Sequence, residues 1–547
     1  MSERDIFKFV KVFKKIVKKS IVFFENQPLT FGGWVISFFT LLVLNLFFQF
    51  ITYGFKTVSF EYFIGSLIQP YYFILYIAIV IFLYYLTKEN IKKILNFVLW
   101  GFWSIIFWPI IDKIILGKQF YLSFYIYGGV KDILNNFITF FGPINPVGIL
   151  YGTRIETIFI ILFVAIYVFQ KTNSIVKTLF GGFGVYVIFY ISVALPSVLV
   201  FLLTIFNGGE VMKITNLEVV KFFNTPFQYF GISERGFAVT FFYKISLIYN
   251  LIFLGLLIWL QYLCDKYLLK ILIKNIRFPQ MIFNWGLLLV GIVLGVYYWP
   301  NNLTSDFFSW LVLINLFFTI LFSWLFSVVI NDIEDYEIDK ISNKNRPLVL
   351  GLVKKGGYLN YGLVFLFLSL LFSLTINSKI FLLNILYLLI TLIYSKYPFK
   401  LKRVPWVAGI ISSFASLLIF LIGYILISPE QTIELFPWRV VLFLFGVYAL
   451  VLPIKDLKDI QSDKKNNVLT VANLLGEKWA RIYFGTIVFL VYVLSVFILS
   501  VNRLFLPAVV LGGMSYWVIN NSKNFRDKLL YKLLLLVIIY IGLLMFY

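Results

Sequence analysis

The chain has no histidine and a single cysteine, Cys264. The first absence removes histidine general bases and histidine-ligated metals or haem, and the second removes an intrachain disulfide and any multi-cysteine metal cluster. Charge is also scarce: 13% of the 547 residues are Asp, Glu, Lys or Arg, and only 25 are acidic. Ionic chemistry must therefore rest on Asp, Glu, Lys, Arg, Tyr or a bound metal.

Apolar surface is abundant. Hydrophobic residues make up 61% of the chain and aromatics 20%, more than a soluble core of this size can bury. Runs long enough to cross a bilayer, which takes roughly 20 residues of helix, recur from Trp34 to the C-terminus, about fifteen in all. Six lie near 34–54, 70–87, 94–112, 156–170, 178–206 and 239–263, with a long aromatic, Gly- and Pro-containing loop between Lys113 and Arg154. Nine more lie near 280–300, 306–330, 357–377, 379–395, 404–428, 436–454, 479–500, 503–520 and 530–546. The expected fold is all-α: a polytopic membrane protein in which an N-terminal membrane domain, residues 1–264, precedes a nine-helix bundle, residues 265–547.

A formal charge of +22 would suggest nucleic acid in a soluble protein. Here the basic residues sit mainly in short loops and set topology, so no nucleic-acid partner is expected. One side of the C-terminal half carries Lys340, Lys344, Arg346, Lys354 and Lys355, then Lys396, Lys400, Lys402 and Arg403, then Lys455, Lys458, Lys464 and Lys465, then Lys523, Arg526 and Lys528. The other side carries little beyond Lys379, Arg439 and Arg503. The positive-inside rule puts the rich side, and the Lys-rich N-terminus, in the cytoplasm of a multi-pass cell-membrane protein. Lys8, Lys11, Lys15 and Lys18 share one helical face, while Phe9, Val12, Phe13 and Ile16 lie on others, as in an interfacial helix on an anionic leaflet.

Eight of the 25 acidic residues fall in two short windows, Asn331–Asp339 and Lys455–Asp463. Each spaces three aspartates as i, i+3 and i+7, Asp332, Asp335, Asp339 and Asp456, Asp459, Asp463, which aligns the carboxylates on one face of a helix. Four spans separate the windows, so both open on the same side. So many like charges at a membrane surface require a positive partner. Mg²⁺ suits the need, since it takes oxygen ligands and is normally held by one or two carboxylates together with substrate phosphates. Two carboxylate clusters facing one cavity could each hold Mg²⁺ against a diphosphate, with Lys and Arg completing the clamp. The placement of an acidic helix end after the second span of each of two four-helix units also suggests duplication, with the site at their junction.

Asn331–Asp339 resembles the N-D-x-x-D-x-x-x-D motif of the UbiA superfamily of intramembrane prenyltransferases, and Asn345-Arg346-Pro347 resembles the N-R-P stretch that follows it. Tyr394–Arg403 is similar to that family's Y-S-x-x-P-x-R/K-L-K-R loop, and Asp456, Asp459, Asp463 and Thr470 to its second aspartate motif and trailing threonine. The likeness runs from about Lys274 onward; Ser462 and Asn467 stand where family members often carry Gly. It implies a nine-helix prenyltransferase bundle and transfer of a prenyl group from a prenyl diphosphate to a hydrophobic acceptor, lipidic or aromatic, such as a quinone precursor or a glycerol-phosphate lipid. It makes the six aspartates the catalytic and Mg²⁺-binding set. Asn331, Arg346, Tyr394, Lys400, Lys402 and Lys455 form the substrate-binding set.

Another class, a transporter of polyprenyl phosphates or divalent ions, would place charges near the bilayer midplane, whereas these acids lie at span ends. A lipid-dependent glycosyltransferase would need the motifs outside. The N-terminal half resembles no family, and its role and protein partner stay open among docking, lipid binding and regulation.

Overall fold

Within hydrocarbon a backbone must bond to itself, which for a single segment means a helix. A computed structural model describes residues 3–53, 70–117, 126–143, 149–225, 237–404, 406–433, 435–458, 469–521 and 527–545, with 229 and 460 as isolated positions. Every regular element among the described residues is helical. Twelve helices are long and apolar enough to cross a membrane, and three shorter apolar helices, Tyr71–Thr87, Trp438–Ile454 and Leu529–Leu544, fall where spans were expected. The chain is an all-α, multi-pass membrane protein. It divides into two compact units, Met1–Leu269 and Lys270–Tyr547.

In the N-terminal unit the basic segment forms the helix Glu3–Glu25. Its last residue is tied to the spans, because Glu25 accepts from Tyr167 Oη (2.9 Å) and pairs with Lys171 (2.6 Å), which also holds Glu89 at 2.9 Å. Burial would push the Glu89 carboxyl up, but the Lys171 hydrogen bond and charge outweigh it and bring the value down to about 2. The expected loop after Lys113 begins one turn later, at Gly117 (φ 60°), and contains the helix Gly129–Ile138.

The C-terminal unit is assembled by small and polar residues rather than by hydrophobicity, which distinguishes little inside lipid. The helices Phe278–Tyr298 and Val407–Ile427 meet backbone to backbone. A Cβ on Gly291 would lie 2.0 Å from the Phe420 carbonyl, and one on Gly423 2.2 Å from that of Leu288. Three further helices, Phe307–Glu334, Lys355–Leu374 and Ser378–Ser395, are joined by a buried polar network. Ser323 Oγ lies 2.6 Å from Ser369 Oγ and donates to Asn384 Oδ1 (2.7 Å), and Asn384 Nδ2 donates to Ser369 Oγ (2.8 Å). These contacts hold the helices whose ends carry the acidic motif and the basic loop.

Candidate active site

The first motif was expected on one continuous helix face, and the structure corrects this. The helix Phe307–Glu334 closes at Asp335 (φ −101°, ψ 15°) and restarts as Tyr336–Ser342. Asp335 N still donates to Asn331 O (2.9 Å) and Asp339 N to Asp335 O (2.8 Å). At the junction Lys400 Nζ donates to the Glu334 carbonyl (3.2 Å), a cation satisfying a helix C-terminus. No Gly or Pro forces the break; side chains pulling in different directions hold it.

Asp332 goes one way. Its carboxylate is fully buried, with Oδ1 against Arg277 Nη2 and Oδ2 accepting from Asn275 Nδ2 (2.9 Å) and Tyr358 Oη (3.0 Å). Arg346 Nη1 lies 3.7 Å from Oδ1 and donates to Asn275 Oδ1 (2.8 Å). Asp335 and Asp339 go the other way, toward an open cavity. Asp335 Oδ2 accepts from Lys402 Nζ (2.5 Å), which also donates to Asn331 Oδ1 (2.8 Å). Asp339 Oδ1 accepts from Asn343 Nδ2 (2.8 Å). The second oxygen of each, Asp335 Oδ1 and Asp339 Oδ2, is buried with no hydrogen-bond partner. Burial pushes the Asp339 carboxyl up, against the Asn343 hydrogen bond and the Arg346 charge. It pushes the Lys402 ammonium down, against the pull of Asp335.

The cavity, about 340 Å³, lies within the range of small-ligand sites. Asn331, Asp335, Asp339 and Arg346 reach it from the first motif, Tyr394, Lys402 and Arg403 from the basic loop, and Asp456 and Thr470 from the second motif. Phe283, Trp324, Tyr387, Ile390, Ile411 and Ile419 supply an apolar lining. Asp456 sits on a 3₁₀ segment, Leu452–Lys458, rather than on an α-helical face. Asp459, Asp463, Ser462, Asn467 and the side chain of Lys455 lie outside the described residues. Lys400 is not among the cavity-lining residues; its ammonium is held by Glu334.

Among the lining residues that the sequence reading did not single out are Arg277, the N-cap of the helix Phe278–Tyr298, and Gln280 and Asn284 on that helix. Arg277 stands just ahead of an apolar run. Its spacing of i, i+3 and i+7 with Gln280 and Asn284 repeats that of the aspartate motifs and could have marked one polar face on an otherwise apolar span. Arg277 (φ 59°) and Lys400 (φ 42°) both hold left-handed backbone conformations, strain of the kind that clusters at functional sites.

The site can gather a polyanion on carboxylate-held cations and on Arg346, Lys402 and Arg403, beside an apolar chamber. Residues 288–533 match the UbiA prenyltransferase family. Digeranylgeranylglyceryl phosphate synthase of Methanocaldococcus jannaschii is 29% identical over 209 residues, 38% of this chain and 69% of that protein. Its counterpart from Thermococcus kodakarensis is 31% identical over 191 residues, 34% of this chain and 62% of that protein. A solved structure of a UbiA homologue from Archaeoglobus fulgidus bound to GPP and Mg²⁺ is 18% identical, covers 49% of this chain and 97% of its own, and superposes with a TM-score of 0.39.

Proposed function

Because its C-terminal half belongs to the UbiA prenyltransferase family, we propose that this membrane protein transfers a prenyl group from a prenyl diphosphate to a lipidic or aromatic acceptor at the cavity between its two aspartate motifs. One observation carries the reading. Asp335 and Asp339 share the cavity with Asp456, and each of the first two keeps one buried carboxylate oxygen without a partner. An orphaned buried acceptor costs about 1–3 kcal/mol, and hard anionic oxygens are what Mg²⁺ takes. Among the described residues no three carboxylates stand together as one metal cluster, so the fit is to Mg²⁺ held by one or two carboxylates at a time together with the diphosphate, Asp335 and Asp339 from the first motif and Asp456 and, in this reading, Asp459 and Asp463 from the second. When bound, Mg²⁺ would neutralise the charge that grows on the diphosphate as its C–O bond breaks.

This chain's own residues do the rest. Arg346, Lys402 and Arg403, with Lys455, bind the diphosphate oxygens. Asn331 keeps Lys402 in place beside Asp335, and Tyr394 lines the same cavity. Lys400 holds the junction that separates Asp335 from Asp332. Asp332 acts through Arg277 and Arg346, as a positioning residue. The apolar wall takes the prenyl tail and keeps water from the developing allylic cation. The basic loops support a cytoplasmic mouth, the side from which Mg²⁺ and prenyl diphosphates are supplied.

Incubating the purified protein with labelled geranylgeranyl diphosphate, Mg²⁺ and lipid or aromatic acceptors tests the reading. Labelled product that disappears with excess EDTA is expected. Full turnover in EDTA, or no product with any acceptor, would refute it.

A further inference from the structure

The groups assigned so far lie in the C-terminal unit, and the N-terminal unit carries a charge pattern of its own. From Ile6 to Phe24 the chain has six lysines and no carboxylate. That whole stretch lies within the helix Glu3–Glu25. Lys14 and Lys18 stand at i and i+4, as do Lys15 and Lys19, a spacing at which like charges repel. All four are exposed.

The helix is held at one end only. Of its described side chains, Ile21 and Glu25 alone are buried. Glu25 accepts from Tyr167 and pairs with Lys171, its carbonyl accepts from Asn96 Nδ2 (2.9 Å), and the Phe24 ring lies 5.2 Å from that of Trp100. These contacts fix the direction in which the helix leaves the unit.

Away from that end an apolar stripe is bare. Val12, Ile16 and Phe23, at i, i+4 and i+11, are 57%, 57% and 61% exposed. Lys15 and Lys19 run beside the stripe, and Lys14 and Lys18 stand further round the helix. One kind of surface satisfies both faces: acyl chains take the stripe, and phosphate head groups take the ammonium groups. Such a surface is within reach. The apolar span that begins at Phe31 follows after five residues, so the end of the helix lies no more than about 20 Å from the start of a membrane crossing.

We propose that Glu3–Glu25 is a binding surface for an anionic lipid leaflet, with Val12, Ile16 and Phe23 entering the acyl boundary and Lys14, Lys15, Lys18 and Lys19 gathering phosphate head groups. It stands independently of the prenyl-transfer reading. The ion pair of Glu25 with Lys171 is the fixed point about which the stripe is turned toward the lipid, so little ordering is left for the bound state to impose.

The test places the full-length protein, in a Cys264→Ser background, in nanodiscs of phosphatidylcholine alone or with about a third phosphatidylglycerol. Both lipids carry brominated acyl chains, and a fluorophore is attached at Ile16→Cys or, separately, at Lys18→Cys. Bromine quenching at Ile16→Cys should be about threefold stronger in the anionic discs, since each lysine near the surface adds attraction. It should weaken in about 0.5 M NaCl, which shortens the screening length to about 4 Å. Lys18→Cys, on roughly the opposite side of the helix, should stay unquenched. Changing Lys14, Lys15 and Lys19 to Gln, which keeps the helix propensity, should bring the Ile16→Cys signal in anionic discs down to its level in phosphatidylcholine. The comparison of the two lipids needs no lysine change, so it stands even where that variant fails to fold.

Equal quenching of Ile16→Cys in the two lipids, no quenching there in anionic discs, or equal quenching at the two labelled positions would overturn the proposal. If polyglutamate, and not the anionic disc, shields the Ile16→Cys label, the surface takes an acidic protein and the proposal falls.

Discussion

At the scale of single residues, the three aspartates of the first motif do not stand in equivalent places. Asp332 is saturated by Arg277, Asn275 and Tyr358, whereas Asp335 and Asp339 each keep a bare oxygen. Asp335→Asn should therefore raise the Mg²⁺ concentration needed for half-maximal transfer. Asp332→Asn, which loosens Arg277 and Arg346, should lower kcat with little change in Mg²⁺ dependence. Titrating Mg²⁺ in both variants checks this, and equal shifts would place Asp332 among the metal-holding groups. Lys402→Met leaves the Asp335 carboxylate buried without its ammonium, a change that costs about 3–5 kcal/mol in buried pairs; thermal unfolding should show a marked loss of stability and assays a loss of transfer. The aspartates, Arg346 and Lys402 were legible from charge types rare in an apolar chain. The outward bonding of Asp332 was not, because it depends on Arg277, 55 positions away in sequence, which local spacing cannot reveal.

At the scale of elements, length and hydropathy placed most spans within a few residues of the observed helices, since a bilayer imposes a minimum length that composition records. The second expected C-terminal span, 306–330, is the helix Phe307–Glu334, and the fifth, 404–428, is Val407–Ile427. The junction at Asp335 was not readable. Asn-Asp-Ile-Glu-Asp-Tyr-Glu-Ile-Asp contains no breaker, and the break is held by Lys400 on the Glu334 carbonyl and Lys402 on Asp335. The backbone contact between Phe278–Tyr298 and Val407–Ile427 gives a test at this scale. Gly291→Ala would push a methyl into the Phe420 carbonyl and should cost about 1–3 kcal/mol, whereas Gly356→Ala, which meets nothing within 4 Å, should be neutral. Thermal stability of the two variants compares them directly, and equal values would contradict the close crossing.

For the whole molecule, the basic loops predict that both motifs face the cytoplasm. In a Cys264→Ser background, Ser342→Cys and Ser462→Cys in intact cells should react only with membrane-permeant thiol reagents, and Asn302→Cys also with impermeant ones; impermeant labelling of the first two would put the acids outside. The central claim is that two motifs far apart in sequence build one cation and diphosphate site. It is tested most directly by Mg²⁺-dependent equilibrium binding of a labelled prenyl diphosphate to the full-length wild type, Asp335→Asn, Asp456→Asn and the double variant. If both carboxylates hold the same ligand, each single change should weaken binding about a hundredfold, and the double variant should bind little worse than either single one, because the first loss already dismantles the site. Wild-type affinity in Asp456→Asn, or losses that simply multiply in the double variant, would mean that the two motifs act separately and that the shared cavity is not the site of transfer.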